Sequence, residues 1–167
     1  ETNEIIKQTR KRAELKRVEL ISKGKLASKK EMMQIREELI DRFMASLNSK
    51  VRSFTDEESY KRYLGKIIEG LENLKGYENN LVVYLTASDL QNNKSFIEKA
   101  LVGVGIDAKK LSFEVAAEDI LGGLVIKDPV LNMRIDESIR TLIEEAKDSI
   151  VEKITIAIGE AGDEENE

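Results

Sequence analysis

The chain has 167 residues, of which 35% are charged and 41% apolar, and its formal net charge is −5. It contains no Cys and no His, which excludes disulfides and thiolate metal sites and removes the commonest general base. No apolar stretch approaches the roughly 18 residues that a membrane-spanning helix needs. No signal peptide is visible in the sequence, which therefore predicts a cytoplasmic protein.

Charge is distributed unevenly along the chain. Residues 1–50 hold 13 basic and 8 acidic residues, whereas the remaining 117 hold 14 basic and 24 acidic residues. Such asymmetry indicates different roles for the two parts. The basic part is either the solvated face of a coiled coil or a surface for an anionic partner such as nucleic acid. No aromatic residue occurs in the first 42 positions, so this part lacks a platform for stacking bases.

A single long helix is predicted over residues 3–52, and large apolar residues recur along it at intervals of eleven. One row is Ile21, Met32, Phe43 and Phe54, and the second is Val18, Ile40 and Val51, with Lys29 at the one position of the second row that is not apolar. Eleven residues make three turns at about 3.67 residues per turn, which favours a nearly straight or slightly right-handed helix pair. We therefore expect a partner helix to contact Val18, Ile21, Met32, Ile40, Phe43 and Val51. Gly24 is the weak point at which this helix could bend.

The segment that follows reads as helix, strand, helix. Thr55 and Glu58 form a predicted capping box that begins a helix over 56–74. The β-branched apolar run 81–86 predicts a buried central strand. Ser88 is the expected N-cap of a short helix over 89–102.

Three more strands and a last helix complete the predicted order. The strands are expected at 111–115, 124–126 and 133–135. Asp136 is the predicted N-cap of a helix with a regular apolar stripe. The fold class is therefore α+β: a long N-terminal coiled-coil helix (1–53), a small C-terminal α/β domain with about four strands packed by helices (54–158), and an acidic disordered tail (159–167).

Two glycines before the third strand are the most specific local signal. Gly122 and Gly123 indicate either a plain turn or a backbone with positive φ that another element approaches closely. Arg134, between apolar strand residues, either faces a partner or lies on the outer side of a half-buried strand.

The order of these pieces resembles the E subunit of the V-type and archaeal A-type rotary ATPases. The resemblance rests on the run 122–126 (Gly-Gly-Leu-Val-Ile), a short turn, the run 133–136 (Met-Arg-Ile-Asp), and Leu142 in the final helix. Two dipeptides depart from the family pattern. Glu137-Ser138 stands where the family usually has Asn-Thr, and Asp128-Pro129 replaces an Asp-Gly turn.

The resemblance implies a peripheral stalk, or stator, that resists torque during ATP-coupled proton or sodium transport. It implies that the long helix pairs with a small helical subunit of the G/H type, as a heterodimer. It also implies that the C-terminal domain docks on the non-catalytic B subunit of the head, with Gly122, Gly123, Arg134 and Asp136 as the head-binding candidates. The protein would then be a cytoplasmic, peripheral membrane subunit with no catalytic, cofactor-binding or metal-binding residues.

Other functions stay open from the residues alone. A basic coiled-coil arm could bind nucleic acid or ribosomes, which strong salt dependence of the affinity would reveal. A stator of a flagellar or secretion ATPase would share the long helix. An enzyme is disfavoured, because His, Cys and a phosphate-binding loop are absent from the sequence.

Overall fold

A computed structural model describes the backbone of residues 2–164 and the side chains of residues 6–158. Five α-helices and four β-strands are present in this part of the chain. In chain order they are α1 (Thr2–Thr55), α2 (Glu58–Glu69), β1 (Leu81–Leu85), α3 (Ala87–Asn92), α4 (Lys94–Val104), β2 (Leu111–Val115), β3 (Gly123–Asp128), β4 (Met133–Ser138) and α5 (Ile139–Glu164). The predicted α+β class, with its long first helix and four strands, is confirmed.

The chain divides into two compact units. The first comprises the described residues up to Phe43 together with those from Glu152 onwards, and the second comprises Met44–Val151. The last turns of α1 belong to the second unit. Val51 and Phe54, in these turns, pack against its hydrophobic core.

Helix α1 runs without interruption through Gly24 and continues past its predicted end at residue 52 to Thr55. The proposed capping box is wrong. Thr55 is still helical, and its hydroxyl donates to the carbonyl oxygen of Arg52 at 2.8 Å. The N-cap of α2 is instead Glu57, whose extended backbone begins the helix without a side-chain hydrogen bond.

Three further helix boundaries differ from those predicted. Helix α2 ends at Glu69, before a short 3₁₀ turn. The predicted helix after β1 is two helices, and Thr86 rather than Ser88 is the first cap, since its hydroxyl accepts a hydrogen bond from the N–H of Asp89 at 3.0 Å. Strand β4 continues past Asp136 to Ser138, whose hydroxyl accepts from the N–H of Thr141 at 3.2 Å.

Helix α5 extends to Glu164, six residues beyond the predicted domain end at 158. The prediction of a disordered tail from residue 159 rests on its acidic, Gly-containing composition. The helical backbone up to Glu164 differs from that prediction, and the good helix formers Glu and Ala accompany the two glycines there. The last part of that tail, 165–167, lies outside the described residues.

The sheet is mixed, with strand order β2-β1-β3-β4. The central strand β1 pairs in parallel with β2, and β3 pairs in antiparallel fashion with both β1 and β4. One face of the sheet carries the core, in which Leu81, Val83 and Leu85 of β1 are fully buried. Helices α2 and α4 contribute Leu64, Ile68, Ile97 and Leu101 to the same core.

Candidate partner-binding surfaces

The apolar side chains of the two rows on α1 are largely exposed to solvent. Val18, Ile21, Met32 and Phe43 are between 44% and 55% exposed, and Ile40 is half-buried. These side chains are held at eleven-residue spacing by a continuous helix. Such a repeated apolar row on a charged helix is typical of a surface that another helix covers.

The last member of each row lies in the second unit. Phe54 makes edge-on contacts with Tyr60 and Tyr63, at ring centroid distances of 5.6 and 5.9 Å. Val51 is also half-buried against the core. The last members of both rows therefore have neighbours within the chain, which the eleven-residue spacing alone did not reveal.

Met32 also has neighbours within the first unit. A groove of about 240 Å³ is lined by Lys29, Met32, Met33 and Arg36 of α1 and by Thr155 and Ile158 of α5. The end of α5 therefore lies beside α1 at the level of Met32. Met32 itself is 46% exposed, so this groove leaves much of its side chain accessible.

The double glycine is an internal feature. Gly122 and Gly123 are both buried, with φ of 144° and 78°. A Cβ on Gly123 would lie 2.2 Å from the carbonyl oxygen of Glu137 on the paired strand β4. Of the two readings that the sequence left open, the structure shows the positive φ with a close approach, and the element that approaches is the backbone of β4. Both positions therefore require glycine for a structural reason that does not depend on a bound partner.

A buried polar network lies next to this turn. The hydroxyl of Tyr60 donates to a carboxylate oxygen of Asp89 at 2.8 Å and accepts from the N–H of Gly123 at 2.7 Å. Thr86 and Asn93 donate to the same carboxylate. Burial, and then the charge of Asp89, raise the pKa of Tyr60 far above its ordinary value. The network joins α2, α3 and β3, and it has the donors that a buried carboxylate requires.

Arg134 and Asp136 lie on the outer face of β4, away from the core. Their side chains form an ion pair at 2.5 Å, and Arg134 is nearly half exposed. Burial would raise the pKa of Asp136, but hydrogen bonds from Ser138 and Arg134 outweigh it, so this pKa lies below its ordinary value. Of the four head-binding candidates, these two are on the surface and the two glycines are not.

Asp119 is the centre of a charged contact in the second unit. Its carboxylate pairs with Arg52 of α1 at 2.7 Å and with Arg140 of α5 at 3.5 Å. Burial would raise the pKa of Asp119, but the N–H of Leu121 and the Arg52 guanidinium outweigh it and lower the pKa. Three distant segments meet here, and no local pattern in the sequence indicates such a contact.

The described residues contain no group of acidic side chains placed to hold a metal ion. Among the helices of this part of the chain, none is both long and apolar enough to cross a membrane.

Comparison with known proteins links this architecture to one family. The sequence model of the ATP synthase (E/31 kDa) subunit family matches residues 1–158. The chain is 29% identical over 139 residues to the V-type ATP synthase E subunit 2 of Clostridium tetani, an alignment that covers 81% of this chain and 64% of that protein. It is 32% identical over 138 residues to the A-type ATP synthase E subunit of Methanococcus aeolicus, covering 78% and 66%. It is 22% identical over 149 residues to the V-type proton ATPase E subunit of Halothermothrix orenii, covering 88% and 71%.

The chain spans slightly less than two thirds of the length of the Clostridium and Methanococcus relatives. The family match nevertheless covers nearly the whole sequence, and it agrees with a long helix followed by a small mixed-sheet unit. The chain therefore belongs to the E-subunit family of V-type and A-type ATP synthases.

Proposed function

We propose that this chain is a non-catalytic peripheral-stalk subunit of a rotary ATPase. In this role it links the catalytic head to the membrane-proximal part and resists torque while ATP turnover is coupled to proton or sodium transport. The observation that carries the proposal is α1 itself. A 54-residue helix bears rows of exposed apolar side chains at a spacing suited to a straight helix pair.

The partner of α1 is a small helical subunit of the G/H type. Covering Val18, Ile21, Met32, Ile40 and Phe43 removes apolar surface from water, at about 25 cal/mol per Å². A helix of this length is stabilised mainly by such packing rather than by its own propensity. The basic residues just before this seam are exposed and favour acidic side chains on the matching part of the partner; they are Arg10, Lys11, Arg12, Lys16 and Arg17.

The second unit docks on the head, at the non-catalytic B subunit. Arg134 and Asp136 are at least partly exposed and so accessible to it, whereas Gly122 and Gly123 are buried. In this role the complex is a cytoplasmic, peripheral assembly, and this chain contacts the membrane only through other subunits.

The test is to reconstitute the complete ATPase into vesicles with and without this chain, together with its helical partner. We expect ATP hydrolysis by the head to persist without the chain, while ion pumping falls to background because the head turns freely. Restoring the chain should restore pumping. A head that loses hydrolysis when the chain is absent, under conditions in which it stays assembled, would indicate a catalytic role and contradict the proposal.

A further inference from the structure

The first turn of α5 is held by the backbone of the residues that lead into β3. We refer to these residues, 119–123, as the entry segment. The N–H groups of Ile139 and Arg140 donate to two of its carbonyl oxygens, at 3.0 and 3.2 Å. The Nε–H of Arg140 donates to a third, that of Asp119. The N–H groups at a helix start have no partner within the helix, so the entry segment satisfies donors that α5 cannot satisfy itself.

The entry segment also contacts the last turn of α1. The carboxylate of Asp119 accepts from the Arg52 guanidinium at 2.7 Å, and it pairs with that of Arg140 at 3.5 Å. Thr55, the last residue of α1, packs against Gly122, since a Cβ on that glycine would lie 2.9 Å from the Thr55 methyl carbon. One carboxylate therefore joins the last turn of α1 to the first turn of α5, and all of these residues belong to the second unit.

The backbone of the entry segment has a conformation that a free chain seldom adopts. Three consecutive residues have positive φ, namely Leu121 at 62°, Gly122 at 144° and Gly123 at 78°. Leu121 carries a side chain, so this conformation is unfavourable for it and persists only where the surroundings fix it. The other carboxylate oxygen of Asp119 accepts from the N–H of Leu121 at 3.1 Å, and the N–H of Gly123 donates to Tyr60 of α2. These bonds hold the entry segment in one backbone conformation.

The contact between Asp119 and Arg52 differs in kind from the other contacts of the last turns of α1. Val51 and Phe54 pack against the core, and such apolar contacts are non-directional. A charge-assisted hydrogen bond instead prefers a narrow range of distances and angles. Half of the Asp119 side chain is exposed, and an ion pair at such a site contributes little to the free energy of unfolding. Asp119 is therefore placed to fix the direction of the last turn of α1 rather than its attachment.

We infer that Asp119 is a positioning residue of the stalk, which fixes the last turn of α1 against the first turn of α5 so that force carried by α1 reaches the sheet through the entry segment. This inference rests on the proposed stalk function and names the part of the second unit that receives the force. The path to the sheet is short, because Gly123 is the first residue of β3. Resisting torque requires that the end of α1 keep its direction under force, which apolar contacts alone do not ensure.

The first test measures hydrogen exchange of the full chain by mass spectrometry. Asp119→Asn removes the charge, while its amide oxygen can still accept from the N–H of Leu121. Exchange in the peptide that covers the last turn of α1 should rise by up to about fivefold, as expected for the loss of an exposed ion pair. The melting temperature should stay close to that of the unmodified chain. Arg52→Gln should reproduce the change at α1 and leave the first turn of α5 protected.

Arg42→Gln is the matched control. Arg42 lies on the same helix and also forms an exposed ion pair, but its partner is Glu38 of α1 itself, at 3.9 Å. Exchange at the last turn of α1 should therefore be unchanged in this variant. Salt at about 1 M should bring the unmodified chain close to Asp119→Asn, because exposed ion pairs are screened.

The second test measures the number of ions pumped per ATP hydrolysed by the complete ATPase in vesicles. Asp119→Asn should lower this ratio without changing assembly, and Asp119→Glu, which keeps the charge, should recover part of it. Unchanged exchange at the last turn of α1 would overturn the inference, as would faster exchange with an unchanged pumping ratio. A lower melting temperature with faster exchange in every peptide would mean that Asp119 only stabilises the fold, and would also overturn it. Failure of the unmodified chain to restore pumping would contradict the proposed function itself, whereas the exchange measurement does not depend on that function.

Discussion

Tyr60 and Gly123, 63 positions apart in sequence, are joined by a hydrogen bond of 2.7 Å from the backbone N–H of Gly123 to the tyrosine hydroxyl. The same hydroxyl donates to Asp89, so one side chain serves a backbone donor and a buried carboxylate. Helix α2 therefore helps to hold the double-glycine turn in place, together with β3, which begins at Gly123.

Removing this hydroxyl should destabilise the second unit. Tyr60→Phe leaves the N–H of Gly123 without its acceptor and takes one donor from Asp89, which is 2% exposed. Unsatisfied buried groups of this kind cost about 1–3 kcal/mol each. Urea unfolding followed by circular dichroism measures the loss. Tyr63→Phe, at a half-buried position in the same aromatic cluster, is the control and should change stability by less.

Substituting Gly123 should lower the stability of the second unit, and any loss of docking should follow from that loss of stability. In Gly123→Ala the new Cβ meets the Glu137 carbonyl at 2.2 Å, and the residue must keep a φ of 78°. The left-handed backbone alone costs about 1–2 kcal/mol, so with the clash we expect a total loss above about 2 kcal/mol. Thermal unfolding checks this, with Gly103→Ala as control, since a Cβ at Gly103 meets no atom within 4 Å. A stable Gly123→Ala variant that fails to bind the head would instead favour a direct role in docking.

A charge placed in the exposed rows of α1 should prevent pairing with the helical partner. In Met32→Asp an unpaired carboxylate would be buried in the helix pair, at a cost of several kcal/mol. Light scattering after size exclusion shows whether the heterodimer forms. Because Met32 also lines the groove beside α5, Ile21→Asp repeats the test at a row position that does not line the groove.

The matched control for these variants is Leu20→Asp. Leu20 is 62% exposed, more than Met32, but it lies roughly 120° around the helix from Met32, away from both rows. It should pair normally. Equal loss of pairing in all three variants would mean that the partner recognises α1 in general rather than by its rows.

Acid should weaken the turn between β3 and β4, whose backbone N–H groups donate to Asp128. The hydrogen bond from Tyr77, with those from Asn79 and the turn backbone, lowers the pKa of Asp128 to about 2. A carboxyl whose pKa is lower in the folded than in the unfolded chain contributes stability above its unfolded pKa of about 4, and this contribution is lost as the pH falls towards 2. Asp128→Asn should therefore be less stable than the unmodified chain at pH 7, and the difference should narrow between pH 4 and pH 2.

Unfolding free energies measured across this pH range test the assignment. Asp148→Asn, at an exposed position on α5, is the control and should leave the pH profile unchanged. A profile for Asp128→Asn parallel to that of the unmodified chain would show that another carboxyl is responsible for the acid sensitivity.

The four strands and the long helix were predictable because their apolar patterns are strong and local. The run 81–85 is β-branched and continuous, and it is the central strand. The N-cap residues were harder to predict, because several Ser, Thr and Asp residues near each helix start could serve as the cap. Thr86 with Asp89 three positions later has the spacing of a capping pair, a signal as good as the one assigned to Ser88.

The polar contacts between distant segments could not be predicted from one sequence. Asp89 lies in a segment that looks like a polar helix start, yet its carboxylate is buried beneath Tyr60, Thr86 and Asn93. Asp119 stands beside Glu118 in an apparent surface loop, yet it joins Arg52 to Arg140. Both contacts depend on tertiary geometry, and neither has a periodic signature.

The position of β1 in the sheet has a consequence for how the chain folds during its synthesis. Both neighbours of β1 follow it in sequence, with β2 at 111–115 and β3 at 123–128. Until β3 has left the ribosome, β1 lacks one of its two pairing partners, and Leu81, Val83 and Leu85 lack part of the core that buries them. Chains stalled before residue 123 should therefore be prone to aggregation and should need a chaperone, whereas chains released beyond β4 should not.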